Sequence, residues 1–179
     1  MRTTVIDQVS VVSHLRCIAP VLYLIWAGEA PATHTRVLLS SLMAGRPEQR
    51  IRCVGAVLFD DEGRLLLIRR AHEPGRGRWS VPGGRVEAGE TDHRAVLREV
   101  AEETGLMVEV IRLLGNVQLP APDGAVFDIY DYICRPAGGT LSAGDDAEET
   151  RWCDAETLAT LPVVSGLVEA LTQWRSLPC

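Results

Sequence analysis

Glu99, Glu102 and Glu103 stand at i, i+3 and i+4 in the segment TDHRAVLREVAEETGL, residues 91–106. If that segment is helical, neighbouring Cβ atoms of the three lie roughly 5 to 6 Å apart, and like charges at that spacing destabilise a helix by a few tenths of a kcal/mol per pair. The helix gains nothing from the cluster. An acidic triple on a surface helix is most often an ordinary solvated face, so a functional reading needs support from the surroundings. A hard divalent cation such as Mg²⁺ takes oxygen ligands and typically sits between protein carboxylates and substrate phosphates, and once bound it reverses the local repulsion. Two glycines upstream, Gly83 and Gly84, let backbone approach the same point without a Cβ. Glu90 and Arg98 are opposite charges able to tie the intervening loop to the helix.

The elements that must position these groups are legible around them. Thr91 predicts an N-cap, Asp92 a favourable first-turn charge and Gly105 the residue that ends the helix, giving a span of about Asp92 to Thr104. At about 100° per residue, Val96, Leu97, Val100, Ala101 and Thr104 form the predicted buried stripe. Upstream, IRCVGAVLFD and RLLLIRR flank the turn DDEG and predict a hairpin, followed by the loop EPGRGRW. Downstream, MVEVIRLLGNVQL and AVFDIYDYICR are strands separated by the turn-rich PAPDG, and ETRWCD is a shorter strand. DAETLATL and SGLVEALTQWRSL read as helices with Asp154 and Ser165 as N-caps. This order predicts an α/β fold, a mixed α/β/α sandwich and not a doubly wound sheet.

Composition bounds the function. A chain of 179 residues, 46% hydrophobic, holds one well-buried domain. Its net charge of -6, with eighteen basic residues that are all arginine, argues against a stable nucleic-acid complex, which rests on clustered cations. The five cysteines are widely spaced without a CxxC, which suggests neither a disulfide framework nor a zinc site and fits a reducing cytoplasm. The apolar run CIAPVLYLIWAG, residues 17–28, is shorter than the roughly 20 residues that span a bilayer. As a signal-peptide core it lacks a plainly positive start, because Asp7 accompanies Arg2 and Arg16. The remaining readings are an arm packed on the domain, a homodimer interface, or an addition upstream of a working start at Met43. Residues 1–45 are accordingly an N-terminal extension and residues 46–179 the working domain.

Gly84, then Glu90 after five residues, then REVAEETGL (98–106) after seven more, resembles the Nudix box of Nudix hydrolases at every specified position. The wider resemblance runs from about residue 51 to 175. It implies a hydrolase that uses Mg²⁺, or Mn²⁺, to direct water at a phosphorus of a nucleoside diphosphate linked to another group. Carried over by position, Glu99, Glu102, Glu103 and the Gly84 carbonyl are the implied metal ligands, and Glu102 or Glu103 also orients or deprotonates water. Glu90, Arg98 and Gly105 are implied structural members of the box. The family places its general base variably; Asp146, Glu148 and Glu149 are the candidates, with Glu149 put first. Pro122 stands close to where members acting on ADP-ribose carry a proline, although a turn recruits proline anyway. ADP-ribose or a related nucleotide sugar is therefore the expected substrate, ahead of an oxidised or ordinary nucleoside triphosphate.

Arg69 and Arg70 end a strand beside the expected cleft and match phosphate geometry, and Trp79 could stack on a base or pack in the core. His72 and His93 lack partners at metal-binding or catalytic spacing. Asp128 and Asp131 fall on opposite faces of one strand, so at most one reaches the cleft. A second class, a regulatory module that binds a nucleotide without hydrolysing it, would carry damaged metal ligands or an added DNA-binding domain. A purely structural interaction protein leaves the glutamate cluster unexplained.

Overall fold

The computed structural model describes residues 49–121 and 124–179. The N-terminal extension, Met43 and Pro122 lie outside the described residues. In chain order the elements are β1 (Arg50–Leu58), β2 (Leu65–Arg70), β3 (Trp79–Ser80), β4 (Gly83–Arg85), α1 (Asp92–Thr104), β5 (Leu106–Pro120), β6 (Val126–Gly139), β7 (Ala147–Cys153), α2 (Ala155–Thr160) and α3 (Leu167–Gln173).

Two sheets form, with orders β4-β1-β6-β5 and β3-β2-β7. β1 runs parallel to β6 and antiparallel to β4, while β5 and β6 make a long antiparallel hairpin. The predicted β1–β2 hairpin is only half right. Its turn closes: Asp60 Oδ1 accepts from the backbone N–H groups of Glu62 at 3.0 Å and Arg64 at 2.9 Å. The strands then part, pairing only at Phe59–Leu65, and each enters a different sheet. Cys53–Leu58 and Leu65–Ile68 are continuous buried runs, not alternating ones. Such strands are covered on both faces and sit centrally, with a neighbour on each side.

The two faces of the strands carry two cores. Val54, Ala56, Leu58 and Leu66 pack with Ala95, Val96 and Val100 of α1, and Val57, Leu65, Leu67 and Trp79 pack with Leu158 of α2 and Leu171 of α3. The mixed α/β/α architecture is as expected from the order of elements.

Helix α1 has the predicted ends. Thr91 Oγ1 accepts from Arg94 N at 3.3 Å, and Gly105 takes the left-handed conformation with φ of 68°. Its buried face is rotated from the predicted stripe. Ala95, Val96, Val100, Glu103 and Thr104 are buried, whereas Leu97 is 42% exposed and Ala101 faces solvent. The rotation carries Glu103 inward, where a backbone donor meets it. Helix α2 starts at the predicted cap, Asp154, which accepts from Thr157 N at 2.8 Å. Helix α3 starts one residue later than predicted, on Gly166 with φ of 85° and no side-chain cap. The reason is upstream: Trp79 holds the chain at Pro162 and Val164 through backbone bonds of 3.0 and 2.9 Å, so the turn into the helix falls at the glycine.

The contrast between Leu66 and Leu97 gives an expected outcome. Leu66→Ala removes a fully buried side chain and should cost about 2 to 5 kcal/mol, whereas Leu97→Ala should cost under about 1 kcal/mol. Urea unfolding of the two variants beside the parent checks this, and equal losses would contradict the observed rotation of the helix.

Candidate functional site

The site is built where α1 crosses β4. The start of the helix is fixed by Asp92, whose carboxylate receives Arg52 Nε and Nη2, both at 2.7 Å, and the Tyr132 hydroxyl at 2.8 Å. The Arg52 bonds hold the Asp92 carboxyl below the usual carboxylate range. At the far end, Ser142 N and Gly144 N donate to the carbonyls of Thr104 (3.0 Å) and Glu103 (3.1 Å), which draws the loop before β7 across the helix terminus.

Between these anchors, Glu103 is 4% exposed and its Oε2 accepts from Gly83 N at 2.8 Å. Burial outweighs that bond and pushes its pKa up to about 8, with the neighbouring Glu99 charge adding to the rise. Glu99, also shielded, is raised by burial too. A Cβ at position 84 would fall 2.6 Å from Glu99 Cδ, so any other residue there would displace the Glu99 carboxylate from β4.

Glu102 points outward, its side chain 56% exposed. Arg98 occupies the space among the box carboxylates: Nε and Nη2 donate to Glu90 (3.1 and 3.0 Å), Nη1 to Glu99 and Glu102 (2.8 and 3.1 Å), and Nη2 also to the Arg85 carbonyl (3.1 Å). Glu99 and Glu102 are thus turned to Arg98, while Glu103 is turned to Gly83. Among the described residues no group of three or more His, Cys, Asp or Glu side chains is gathered to hold an ion, because the arginine draws Glu99 and Glu102 to itself. The donor set still fits a hard divalent cation: all of it is oxygen, and two of its carboxylates resist ionisation where they stand. Glu99, Glu102, Glu103 and the Gly84 carbonyl would hold it, with Arg98 left on Glu90.

A cavity of about 820 Å³ adjoins β4, with Gly83 and Gly84 in its wall. Of the two candidate arginines, Arg70 lines it; Arg69 is drawn to Glu148 at 2.6 Å instead. Trp79 does not line it. It is 3% exposed, belongs to the core beside α2 and carries Arg151 over its ring, so its role as a base-stacking residue is corrected to packing. Glu149 is likewise taken up, by Arg151 at 2.6 Å and Arg69 at 3.9 Å. The later carboxylate whose charge acts on both Glu99 and Glu103 is Asp146, and His72 Nε2 lies 3.2 Å from it, a partner that sequence spacing did not reveal.

Sequence reasoning also passed over Arg85 and Ser80, which line the cavity, and left Asp128 and Asp131 undecided. Asp131 is the one that lines it, 6% exposed, with a pKa lifted by burial to about 6. Asp128 is instead held by Asn116, Gln118 and Tyr130.

The sandwich thus sets a glutamate helix against a glycine strand beside the cavity. The NUDIX domain family model matches residues 49–173, and the chain belongs to the Nudix hydrolase family. It is 42% identical over 106 residues to an ADP-ribose pyrophosphatase of Methanocaldococcus jannaschii, covering 58% of this chain and 62% of that protein. It is 32% identical over 173 residues to the human 8-oxo-dGDP phosphatase, covering 88% of this chain and 51% of that one. The chain thus spans between half and two thirds of these relatives' lengths. Among solved structures, a MutT NUDIX hydrolase from Burkholderia pseudomallei superposes with a TM-score of 0.61 at 34% identity, over 70% of this chain and 98% of that one. Among the described residues, no helix is long and apolar enough to cross a membrane.

The raised pKa of Glu103 fixes a sign. A carboxyl protonated up to about pH 8 when folded, but only to about 4.3 when unfolded, contributes stability that is full below the unfolded value and lost as pH rises through the folded one. With a chelator present, stability should therefore fall between pH 5 and 8, by an amount on the order of a few kcal/mol. Glu103→Gln should flatten that fall and Mg²⁺ should restore the parent at pH 8. Thermal melts across the window check it; parallel curves for parent and variant would remove Glu103 as the cause.

Proposed function

We propose that this chain catalyses metal-dependent hydrolysis of the pyrophosphate bond in a nucleoside diphosphate linked to a further group. The observation that carries this reading is the placing of the half-buried Glu99 and the buried Glu103 against Gly83 and Gly84 in the wall of a nucleotide-sized cavity. When bound, Mg²⁺ or Mn²⁺ would neutralise charge on phosphoryl oxygens and lower the pKa of bound water. Glu99, Glu102, Glu103 and the Gly84 carbonyl would hold it, and Arg98 ties Glu90 and β4 to the helix. Arg70 and Arg85, on the cavity wall, meet the diphosphate. Asp146, the later carboxylate whose charge acts on both Glu99 and Glu103, takes the water-orienting role in place of Glu149.

Two substrates are carried forward. ADP-ribose is supported by the archaeal relative's activity. An oxidised guanine nucleotide is favoured by the human relative's activity and by one structural observation, the unpartnered Asp131 carboxylate in the cavity. The partner is a small nucleotide, with no stable nucleic-acid complex; a homodimer remains part of the proposal. Cys53, Cys134, Cys153 and Cys179 are free thiols, in keeping with a cytoplasmic setting.

The test is hydrolysis of ADP-ribose, 8-oxo-dGDP, dinucleoside polyphosphates, NADH and ordinary and oxidised dNTPs, with Mg²⁺ and with chelator. Activity should require the metal and rise from pH 6 toward an alkaline plateau as the raised carboxylates ionise. Glu103→Gln should lower kcat at least about 100-fold. Near-normal turnover in that variant would overturn the assignment of the glutamates.

A further inference from the structure

We propose that the cavity is a purine subsite in which the Asp131 carboxylate accepts two adjacent N–H donors of a guanine-type base, making Asp131 a determinant of base specificity. The inference rests on the nucleotide pyrophosphohydrolase reading above and extends it to the base.

Asp131 makes no hydrogen bond or ion pair among the described residues, although it is 6% exposed and lines the cavity. Burying a carboxylate without partners is costly, and a binding site is where such a group persists, because the ligand completes it. The fold makes room for it deliberately on the neighbouring strand. A Cβ at Gly55, directly across from Asp131 in the β1–β6 register, would overlap Asp131 Oδ1. Along β6 the same face presents Phe127 and Ile129, and Val117, Leu119 and Leu167 complete apolar walls suited to a flat ring. A ribose diol, polar on every edge, would gain little from such walls.

A second buried group on the same cavity is also unsatisfied: Ser80 Oγ has no hydrogen-bond partner. Together the two offer a carboxylate acceptor and a hydroxyl donor. Guanine and 8-oxoguanine present the complement, N1–H and the N2 amino group as donors beside the O6 acceptor. Adenine presents one donor beside the N1 lone pair, which would face a carboxylate oxygen. Burial holds the Asp131 pKa at about 6, so above neutral pH the group is ionised and has no proton to offer that lone pair. Gly83 and Gly84 belong to the same wall, which joins the cavity to the glutamate helix, and Arg85 on that wall lies 5.9 Å over the Phe127 ring.

The test uses the full chain, with Asp131→Asn and Asp131→Ala. Calorimetry with GDP and ADP in metal-free buffer at pH 8 reads the base alone, and kcat/KM with Mg²⁺ for 8-oxo-dGDP, dGDP and ADP-ribose reads the reaction. The parent should prefer GDP. Asp131→Asn should lower the ratio of guanine to adenine affinity roughly 10- to 100-fold, because an amide offers adenine the donor and acceptor that its edge needs. Asp131→Ala should lose the preference without that gain. Melting temperatures at or above the parent's are expected, since an unpartnered buried charge is removed. Equal effects on guanine and adenine ligands, or none, would overturn the proposal, as would a loss confined to ADP-ribose, which would mark a ribose contact. A parent that prefers GDP through Asp131 yet hydrolyses nothing would leave this subsite standing while the proposed reaction fell.

Discussion

A glutamate buried on one backbone hydrogen bond is the constraint around which this fold is arranged. Glu103 loses most of its hydration and recovers only the bond from Gly83 N–H, so the helix that carries it must be held from elsewhere. Both ends of α1 supply that hold. Asp92 is clamped by Arg52 and Tyr132 from two adjacent strands, and the terminal carbonyls are met by Ser142 and Gly144 from the loop before β7. Between them Val96 and Val100 seat the helix on the core. The energy that keeps a desolvated carboxylate in place thus comes from apolar packing and from bonds to the backbone and side chains at the two ends of the helix, none of which is made to the carboxylate itself.

Arg98 resolves a second conflict on the same helix. Four carboxylates within reach of one another would repel, and the guanidinium bonds to Glu90, Glu99 and Glu102 at once. Its two bonds to Glu90 and its bond to the Arg85 carbonyl tie β4, the loop and the helix together whatever the other two glutamates do. The remaining bonds, to Glu99 and the largely exposed Glu102, are the ones a cation can displace. One arginine therefore acts as a strut toward Glu90 and β4 on one side and a counter-charge to Glu99 and Glu102 on the other. Lysine, with a compact ammonium, could not span those positions from one stem.

How much of this was legible varies with the range of the cause. The limits of α1 were readable because Thr91, Asp92 and Gly105 act on the backbone within a turn. The Glu90–Arg98 tie was readable because it links the helix to the loop immediately before it. The β1–β2 hairpin was misread because the turn is local while the pairing is not: both strands are buried on two faces and their partners come from distant sequence. The stripe on α1 was misplaced for a related reason, since polarity excluded Glu103 from the core face and only the Gly83 donor, twenty positions away, puts it there. Trp79 and Glu149 offered two roles each: core partners from distant strands and α2 decided the first, and Arg151 on the same strand together with Arg69 on the paired β2 decided the second.

Strand β6 shows how one parity rule divides labour across the sheet. Its even positions 128, 130 and 132 face the side of α1: Tyr132 bonds Asp92, and Tyr130 lies under Arg52 at 4.0 Å, the arginine that clamps the same aspartate. Its odd positions 127, 129 and 131 face the cavity. The two sets are locked to each other by the β1–β6 register, which places Gly55 opposite Asp131 and Arg52 opposite Asp128. A slip of one residue would exchange them, setting a carboxylate in the core and a tyrosine against Gly55. The pairing that anchors the glutamate helix is therefore the same pairing that aims Asp131 into the cavity, so the helix and the cavity wall are set by a single register and cannot drift apart independently.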